Sequence, residues 1–566
     1  MKNIGTADIE ANHWIDLTMI GFYDGEKYFL FPSINKFLNH ILTEKYHRYK
    51  IYFHNGGRYD FLFLIEKLFE LGKVDMIQKS GGFIAIFFES KQGIKITFAD
   101  SIALFPASLE KLINDFNIEY KKIPIDFSIE HKFIDIQLRE HLKNDCLSLY
   151  KIIEKFYDVE GFLSFTVASH ALKVFLKKFF NGTIWNVSDS FDFYFREKYY
   201  KGGRVEVYKG YGKNLYYYDI NSLYPSVMLE AMPLGSPIKT DVYKKNKIGF
   251  YEIKLLEETN FLISPLSIKT KKGNYYVNGE KGDIFNVLSN ELEYLIEKKI
   301  KFNILSGYYF DKQSKIFEGY VNYYYKQKKE SKNETERYIA KLMLNSLYGK
   351  FGQRLDGEVI EQLNEKNKDL DNKIYDSYND LVLVHKKLNV HIKGVYISAY
   401  ITALARIKHL RLMDSVGHEN IYYCDTDSLI TSKQLKVSKE IGDIKLEDKI
   451  KEGVFITAKV YGYINSEGKE VTHYKGFSKN IFAYNDLKKL LKNEKNELVE
   501  TKERILSFKD TIRRKNNIKN TKGYYLKTVD QTKVLKSIYE RRKKIESKKY
   551  IFETIPFSKK DLDIIK

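Results

Sequence analysis

Seven acidic residues fall into two sets whose types and spacing suit metal-assisted chemistry on phosphate esters. The first set is Asp219, in Tyr218-Asp219-Ile-Asn-Ser222-Leu223-Tyr224-Pro, together with the pair in Tyr423-Cys-Asp425-Thr-Asp427-Ser428. The second is Asp8 and Glu10, in Asp8-Ile-Glu10, with Asp60, closing Asn55-Gly-Gly-Arg-Tyr59-Asp60, and Asp145. In-line phosphoryl transfer uses two divalent ions about 3.5–4 Å apart, one activating the attacking oxygen and one neutralising the leaving group. Mg2+ takes hard oxygen ligands and keeps several waters, so a few carboxylates suffice. With water as the attacking group, the same logic cleaves a phosphodiester. A solitary Asp-Thr-Asp turn or Asp-x-Glu pair is ordinary surface. A cluster of carboxylates without partners repels itself and is hard to explain without metal.

The elements that must position these residues are legible in outline. Residues 1–150 alternate strand-like and helix-like segments, an α/β pattern. Ile51–His54 and Phe83–Phe88 are short β-branched or aromatic runs bounded by turn signals. Leu109–Phe116 and Leu138–Phe156 read as helices, and the second carries Asp145. Leu215–Asp219 is a strand candidate running into a turn at Ile220–Ser222. Glu334–Tyr348 is helical, and Ile421–Ile430 reads as strand, turn, strand with Asp425 and Asp427 at the tip. Residues 362–384 are polar and charge-dense and read as a protruding insertion. No internal repeat is present.

At 566 residues the chain is too long for one compact core. Its formal net charge of +20 favours polyanionic partners. The charge concentrates late: Thr501–Tyr550 holds 17 Lys/Arg and 5 Asp/Glu, a net of +12 (17 − 5). With Tyr524 and Tyr525 interleaved, that stretch suits a surface tracking a phosphate backbone. Two cysteines, Cys146 and Cys424, far apart, exclude a disulfide framework or a Cys-based zinc site and fit a reducing compartment. No run of about 18 apolar residues exists, so no membrane partner is expected. The first residues lack the apolar core of a signal peptide, and no targeting presequence is evident.

The two acidic polymerase-type segments, in this order, resemble the first and third motifs of family B DNA polymerases. The second motif lies between them as Lys341-Leu-Met-Leu-Asn345-Ser-Leu-Tyr348-Gly349. Lys341 and Asn345 are four apart and share a helix face. Lys341 suits an incoming triphosphate as a point charge. The resemblance implies that Tyr348, Ser222, Leu223 and Tyr224 line the nucleotide pocket, with Tyr224 excluding a 2′-hydroxyl. Lys459-Val-Tyr461 matches a further element and would lie against the primer terminus. The N-terminal acidic set resembles the three exonuclease motifs of proofreading members, in which Asn55 and Tyr59 would contact DNA. The third motif's usual Tyr is replaced by His141 in His141-Leu-Lys-Asn-Asp145, a residue able to orient or deprotonate water. Lys122 matches a lysine assisting the exonuclease, and Ser101 a partial single-strand-binding element. Tyr200-Lys-Gly202-Gly203 looks like the element linking the two domains at the DNA, and Gly349 is carried as a DNA contact.

The size and these elements resemble the protein-primed subgroup from phages and linear plasmids. The fold class expected is multidomain, α/β plus α+β: an N-terminal ribonuclease-H-like exonuclease domain, then a right-hand polymerase of palm, fingers and thumb with two insertions. The expected boundaries are exonuclease 1–160, linker 161–205, palm 206–254, a first insertion facing the terminal protein 255–325, fingers 326–353, second insertion 354–388, palm 389–478 and basic thumb 479–566. The resemblance implies Mg2+, two per active site with Mn2+ able to substitute, held by Asp219, Asp425 and Asp427 in one site and Asp8, Glu10, Asp60 and Asp145 in the other. It implies primer-template DNA, deoxynucleoside triphosphates and a terminal protein as partners, strand displacement, and an intracellular location in a host cytoplasm or with a mitochondrial plasmid. The alternatives are an RNA-primed or repair-type family B enzyme and a non-catalytic replication scaffold.

Overall fold

The computed structural model describes residues 3–79, 81–363, 373–376, 381–512, 518–523, 525–539, 541–545 and 552–565. Residues 4–100 build a seven-stranded sheet from β1 (Ile4–Asn12), β2 (Asp16–Tyr23), β3 (Tyr28–Phe31), β4 (Tyr49–Phe53), β5 (Gly72–Lys79), β6 (Gly82–Ser90) and β7 (Lys95–Asp100), in the order β3-β2-β1-β4-β7-β6-β5. The centre, β1-β4-β7, is parallel and the flanks are antiparallel. A parallel centre must be covered on both faces. Helix α1 (Asp60–Leu71) packs Phe61, Leu64, Ile65 and Leu68 on Ile9, Ile51, Phe53 and Phe98. Helix α2 (Ile136–Glu160) takes the other face, where Thr6 Oγ1 donates to the Cys146 carbonyl at 2.7 Å. Strand alternation therefore sends Ala7 and Ile9 into the α1 core and Thr6, Asp8 and Glu10 toward α2.

A second seven-stranded sheet forms from β8 (Val205–Val207), β9 (Tyr211–Ile220) and strands much later in the chain. Between them lies an antiparallel helix pair, α3 (Glu318–Glu330) and α4 (Glu334–Ser346), and then α5 (Val395–Val416), which carries no charge over Val395–Ala405 and is buried along most of its length. Then come β10 (Ile421–Asp425), β11 (Ser428–Thr431), β12 (Ile444–Thr457), β13 (Val460–Asn465) and β14 (Glu470–Tyr474), giving the order β14-β13-β12-β9-β11-β10-β8. β10 and β11 are a hairpin closed by Thr426-Asp427, with Asp425 opposite Ser428 and Ser428 opposite Asp219. Register alone thus brings the three carboxylates to one end of the sheet.

Several expected boundaries differ from the observed packing. The helix pair begins at Glu318, not at 326, because α3 has α4 as its partner. The 254/255 boundary falls inside one sheet: Ile248–Leu255 pairs with both Ile284–Leu288 and Phe302–Phe310. Residues 354–388 are partly outside the described residues. The described part pairs Asp356–Gln362 with Leu381–Lys387, and Ile360, Leu381 and Leu383 pack into the first domain's core. The basic C-terminal stretch forms a sheet of Glu497–Ile505, Leu526–Lys536 and Ile518–Lys522. The chain then leaves that sheet, and Phe557 pairs with Val277 in the middle of the first expected insertion. Tyr524 lies outside the described residues. Tyr525 is fully buried among Phe69, Phe508 and the first domain's core, so it tracks no backbone. Among the described residues no helix is long and apolar enough to cross a membrane.

Candidate active sites

At the end of the second sheet, Asp219, Asp425 and Asp427 converge. Thr426 holds the hairpin turn with a left-handed φ of 59°, and its N–H donates to the Arg204 carbonyl at 2.6 Å. Gly203, the last residue of the linking element, lies so close that a Cβ would meet Thr426 Cγ2 at 2.8 Å, so only glycine lets that backbone support the turn. At Gly202 a Cβ would meet only Asn274 Nδ2, at an ordinary contact distance of 3.9 Å. The Asp427 carbonyl accepts from the Ile220 N–H at 2.8 Å, tying the turn to the end of β9. Burial and the neighbouring Asp219 push Asp427 up to about 6. Asp219 is also raised, chiefly by burial. Lys459 Nζ straddles the Asp425 carboxylate at 2.7 and 2.6 Å. Tyr461 is buried against Tyr423 and His473.

Beside the carboxylates, the Tyr224 and Tyr348 rings stack at 4.3 Å with planes 6° apart, forming one wall. Burial pushes the Tyr224 phenol up to about 12. Lys341 and Asn345 share the exposed face of α4, as their spacing requires. Lys328, on α3, was not evident in the sequence: its Nζ donates to Ser222 Oγ at 3.0 Å, and burial and the nearby Lys341 ammonium lower its pKa. Two ammoniums held together above carboxylates are an anion cradle. The side chain of Leu223 is buried in the core. Gly349 has open space around it. Tyr200 packs its hydroxyl end against Gly352, where a Cβ would meet it at 2.6 Å.

The first sheet carries the second cleft. Asp60 opens α1 and its Oδ1 accepts from the Ile9 N–H at 3.1 Å, which fixes it beside β1. Burial pushes Asp60 up to about 8. Asp8 is raised well above the carboxylate range by burial, Asp60, Glu10 and Asp145. His141 and Asp145, one turn apart on α2, complete the cleft. His141 is 4% exposed, which excludes a surface role. Its Nε2 lies 3.4 Å from Glu10 and 3.6 Å from Asp145, while Nδ1 sits 2.5 Å from the Ile123 carbonyl. Burial lowers its pKa, but Glu10 and Asp145 outweigh it and the net shift is upward. Lys122 Nζ pairs with Asp145 Oδ2 at 3.1 Å. Asp145 Oδ1 is buried with no hydrogen-bond partner.

Asn55, with a left-handed φ of 63°, turns the chain into the cleft, and Tyr59 lines it. Asp100, missed in the sequence, holds that turn: its Oδ2 accepts from the Gly57 N–H at 3.1 Å, and burial pushes its pKa up to about 6. A Cβ on Gly57 would stand 1.8 Å from the Phe83 carbonyl oxygen, so the close approach needs glycine. Ser101 is fully buried, donates to the Phe53 carbonyl and touches His54, so its hydroxyl supports the turn from behind.

Both clefts offer hard oxygen donors, the pKa raised at Asp219 and Asp427 in one and at Asp8 and Asp60 in the other, and the buried Asp145 Oδ1 lacks a partner. That donor chemistry fits Mg2+, which takes one or two carboxylates with water and substrate phosphate. Among the described residues no group of three or more His, Cys, Asp or Glu is arranged so that it could hold a metal ion by itself.

The model of type B DNA polymerases, organellar and viral, matches residues 42–134 and 130–416. The chain belongs to this family. Relatives within it include a probable DNA polymerase of Neurospora intermedia, 30% identical over 88% of this chain and 61% of that protein. A DNA-directed DNA polymerase of Enterobacteria phage PRD1 is 29% identical over 72% of each chain. The chain spans 61%, 38% and 48% of the Neurospora intermedia, Podospora anserina and Ascobolus immersus relatives. Phi29 DNA polymerase complexed with primer-template DNA and incoming nucleotide shares the fold, with a TM-score of 0.75 at 20% identity over 94% of this chain and all of that one. The type B fold of exonuclease domain plus palm, fingers and thumb accounts for the two sheets and for the α3–α4 pair.

Proposed function

We propose that the chain is a DNA-directed DNA polymerase with its own 3′→5′ proofreading exonuclease. The observation that carries this is the pair of separate carboxylate clefts on two different sheets, one beneath a cation cradle and an aromatic wall, the other with a histidine and a lysine. In the first, Lys328 and Lys341 bind the incoming triphosphate, and Tyr224 against Tyr348 leaves a flat wall for the sugar of a deoxynucleotide. Lys459 holds Asp425 at the primer side. In the second, His141 Nε2, supported by the Ile123 carbonyl at Nδ1, orients the attacking water, while Lys122 and Tyr59 steady the scissile phosphate. Asp219, Asp425 and Asp427, and separately Asp8, Glu10, Asp60 and Asp145, would hold Mg2+. That ion supplies charge neutralisation and activation of the attacking oxygen when bound.

The same reading extends to substrate handling. The family, and the packing of both the 354–388 segment and the late basic sheet onto the exonuclease core, support a closed path for DNA and strand displacement from a protein primer. Primer-template DNA, deoxynucleoside triphosphates and a terminal protein are the partners. The test is rolling-circle synthesis on a primed single-stranded circle, with degradation of a labelled single strand in parallel. Asp427→Ala should lose extension and keep degradation, and Asp8→Ala with Glu10→Ala the reverse. If each variant lost both activities, the two-site assignment would be wrong. Products stopping at one circle would favour an RNA-primed or gap-filling enzyme. No extension by the wild-type chain would favour a scaffold.

A further inference from the structure

The turn joining β1 to β2 is built oddly for its position. It begins just past Glu10, at Asn12, and closes with the Ile15 N–H donating to the Asn12 carbonyl at 3.1 Å. His13 and Trp14 both adopt left-handed backbone, with φ of 47° and 68°. Glycine or asparagine occupies that region readily, whereas a bulky aromatic residue there is a true outlier. The strained tryptophan is not folded into the core: it is 53% exposed. Its ring meets Tyr59 edge-on, with centroids 6.1 Å apart and planes at 86°. Tyr59 in turn meets Phe63 at 5.3 Å. The Tyr59 hydroxyl feels Asp60, Glu10 and Asp8. Trp14 therefore stands one ring outward from the exonuclease carboxylates, at the mouth of their cleft.

The turn is also held from both sides. Asn12 exchanges two hydrogen bonds with the backbone of His131, its Nδ2 donating to the carbonyl at 2.8 Å and its Oδ1 accepting from the N–H at 2.9 Å. His13 Nε2 lies 2.9 Å from Glu130 Oε1. At the other foot, Lys522 of the late basic sheet pairs with Asp16 at 2.7 Å. Beyond its edge-on contact with Tyr59, the strained, exposed indole between the second cleft and the basic sheet leaves half its surface open. A base has an apolar face that stacks on an aromatic ring whatever its sequence.

We infer that Trp14 stacks on a base of the unpaired 3′ strand entering the Asp8–Glu10–Asp60–Asp145 cleft. This rests on the hydrolytic reading of that cleft, so binding and cleavage are tested apart. The chain has two tryptophans, Trp14 and Trp185, so Trp185→Phe leaves Trp14 as sole reporter. In EDTA, titration with oligodeoxythymidylate should quench its fluorescence saturably. With Mg2+, Trp14→Ala should raise KM for single-strand degradation about tenfold, the contribution of roughly one base–aromatic stack. kcat should stay unchanged, and Trp14→Phe should recover most of the loss. Trp14→Gly should weaken binding like alanine without lowering the unfolding midpoint, since glycine accepts the positive φ. A structural tryptophan would lower it. Oligonucleotide binding seen by anisotropy without any quench, or an alanine variant with unchanged KM, would overturn the proposal while leaving the exonuclease reading intact. If the wild-type chain bound and quenched but never cleaved, the hydrolytic reading would fail and the stacking site would stand.

Discussion

Asp60→Asn isolates what the crowded carboxylates of the first sheet's cleft do to the metal-free fold. Asp60 is 3% exposed and its Oδ1 accepts from the Ile9 N–H at 3.1 Å. An asparagine keeps the shape and that hydrogen bond and removes only the charge. The folded pKa is raised from 3.8 to about 8. The folded chain therefore binds this proton more tightly than the unfolded chain does, and stability falls as pH rises between those two values. Each pH unit in that window is worth about 1.4 kcal/mol. The advantage of the asparagine variant in EDTA should thus grow steadily from pH 4 to 8 and reach about 5 kcal/mol. Mg2+ should stabilise the wild-type chain at pH 8 by about 2.7 kcal/mol at a hundred times its Kd, and the variant by less. The assay is urea unfolding of both chains at several pH values, with and without Mg2+. A variant weaker than wild type in EDTA at pH 8, or a difference flat with pH, would refute the argument that burial, with Glu10 beside it, holds the Asp60 carboxyl protonated in the metal-free fold.

Two further outcomes follow from buried charge. Glu206 is 1% exposed, accepts from Arg204 Nη1 and the Tyr208 hydroxyl at 2.8 Å, and faces Arg542 at 3.4 Å. Glu206→Gln leaves two buried guanidiniums uncompensated and should destabilise by about 3–5 kcal/mol, read from unfolding midpoints. Because Glu206 pairs with Cys424 across β8 and β10, extension should fall while single-strand degradation persists. Lys328→Met should raise KM for nucleotide about tenfold, the worth of one charge-assisted hydrogen bond, with exonuclease rate unchanged in a single-strand assay.

What the sequence showed best was local. Asp425 and Asp427 sit on one short hairpin, and His141 with Asp145 on one helix turn, so spacing made each pair neighbours, while their assignment to a site came from the resemblance to family B motifs. The strand at Leu215–Asp219 and the helix at Leu138–Phe156 were visible because their hydrophobic patterns are regular. What stayed hidden is set by long-range pairing. Nothing near Phe557 announces that it returns to Val277, and nothing near Lys328 announces that Ser222 lies below it. Tyr525 looked like part of a nucleic-acid surface because it stands among lysines, yet Phe508 and Phe69 cover it. Asp100 reads as an ordinary strand end until the Gly57 N–H is seen to need an acceptor there.

The two clefts share more frame than their chemistry requires. Phe508 from the late basic sheet region meets Phe83 of the first sheet at 4.9 Å, with ring planes tilted by 46°. Ile360 and Leu383 join the same core from the second insertion. On the opposite side, Thr335 at the start of α4 donates to the Phe116 carbonyl at 3.1 Å. The hydroxyl of Tyr324 on α3 reaches Glu160 at the end of α2 at 3.2 Å, one helical turn from Lys328. The N-terminal domain is therefore the body on which both the α3–α4 pair and the basic sheet rest. Point changes to carboxylates remove charge without moving this body, so they should separate extension from single-strand degradation as proposed. Deleting the domain would leave the hydrophobic faces of Phe508, Tyr525, Ile360 and Leu383 without a partner, and extension should be lost along with any single-strand degradation.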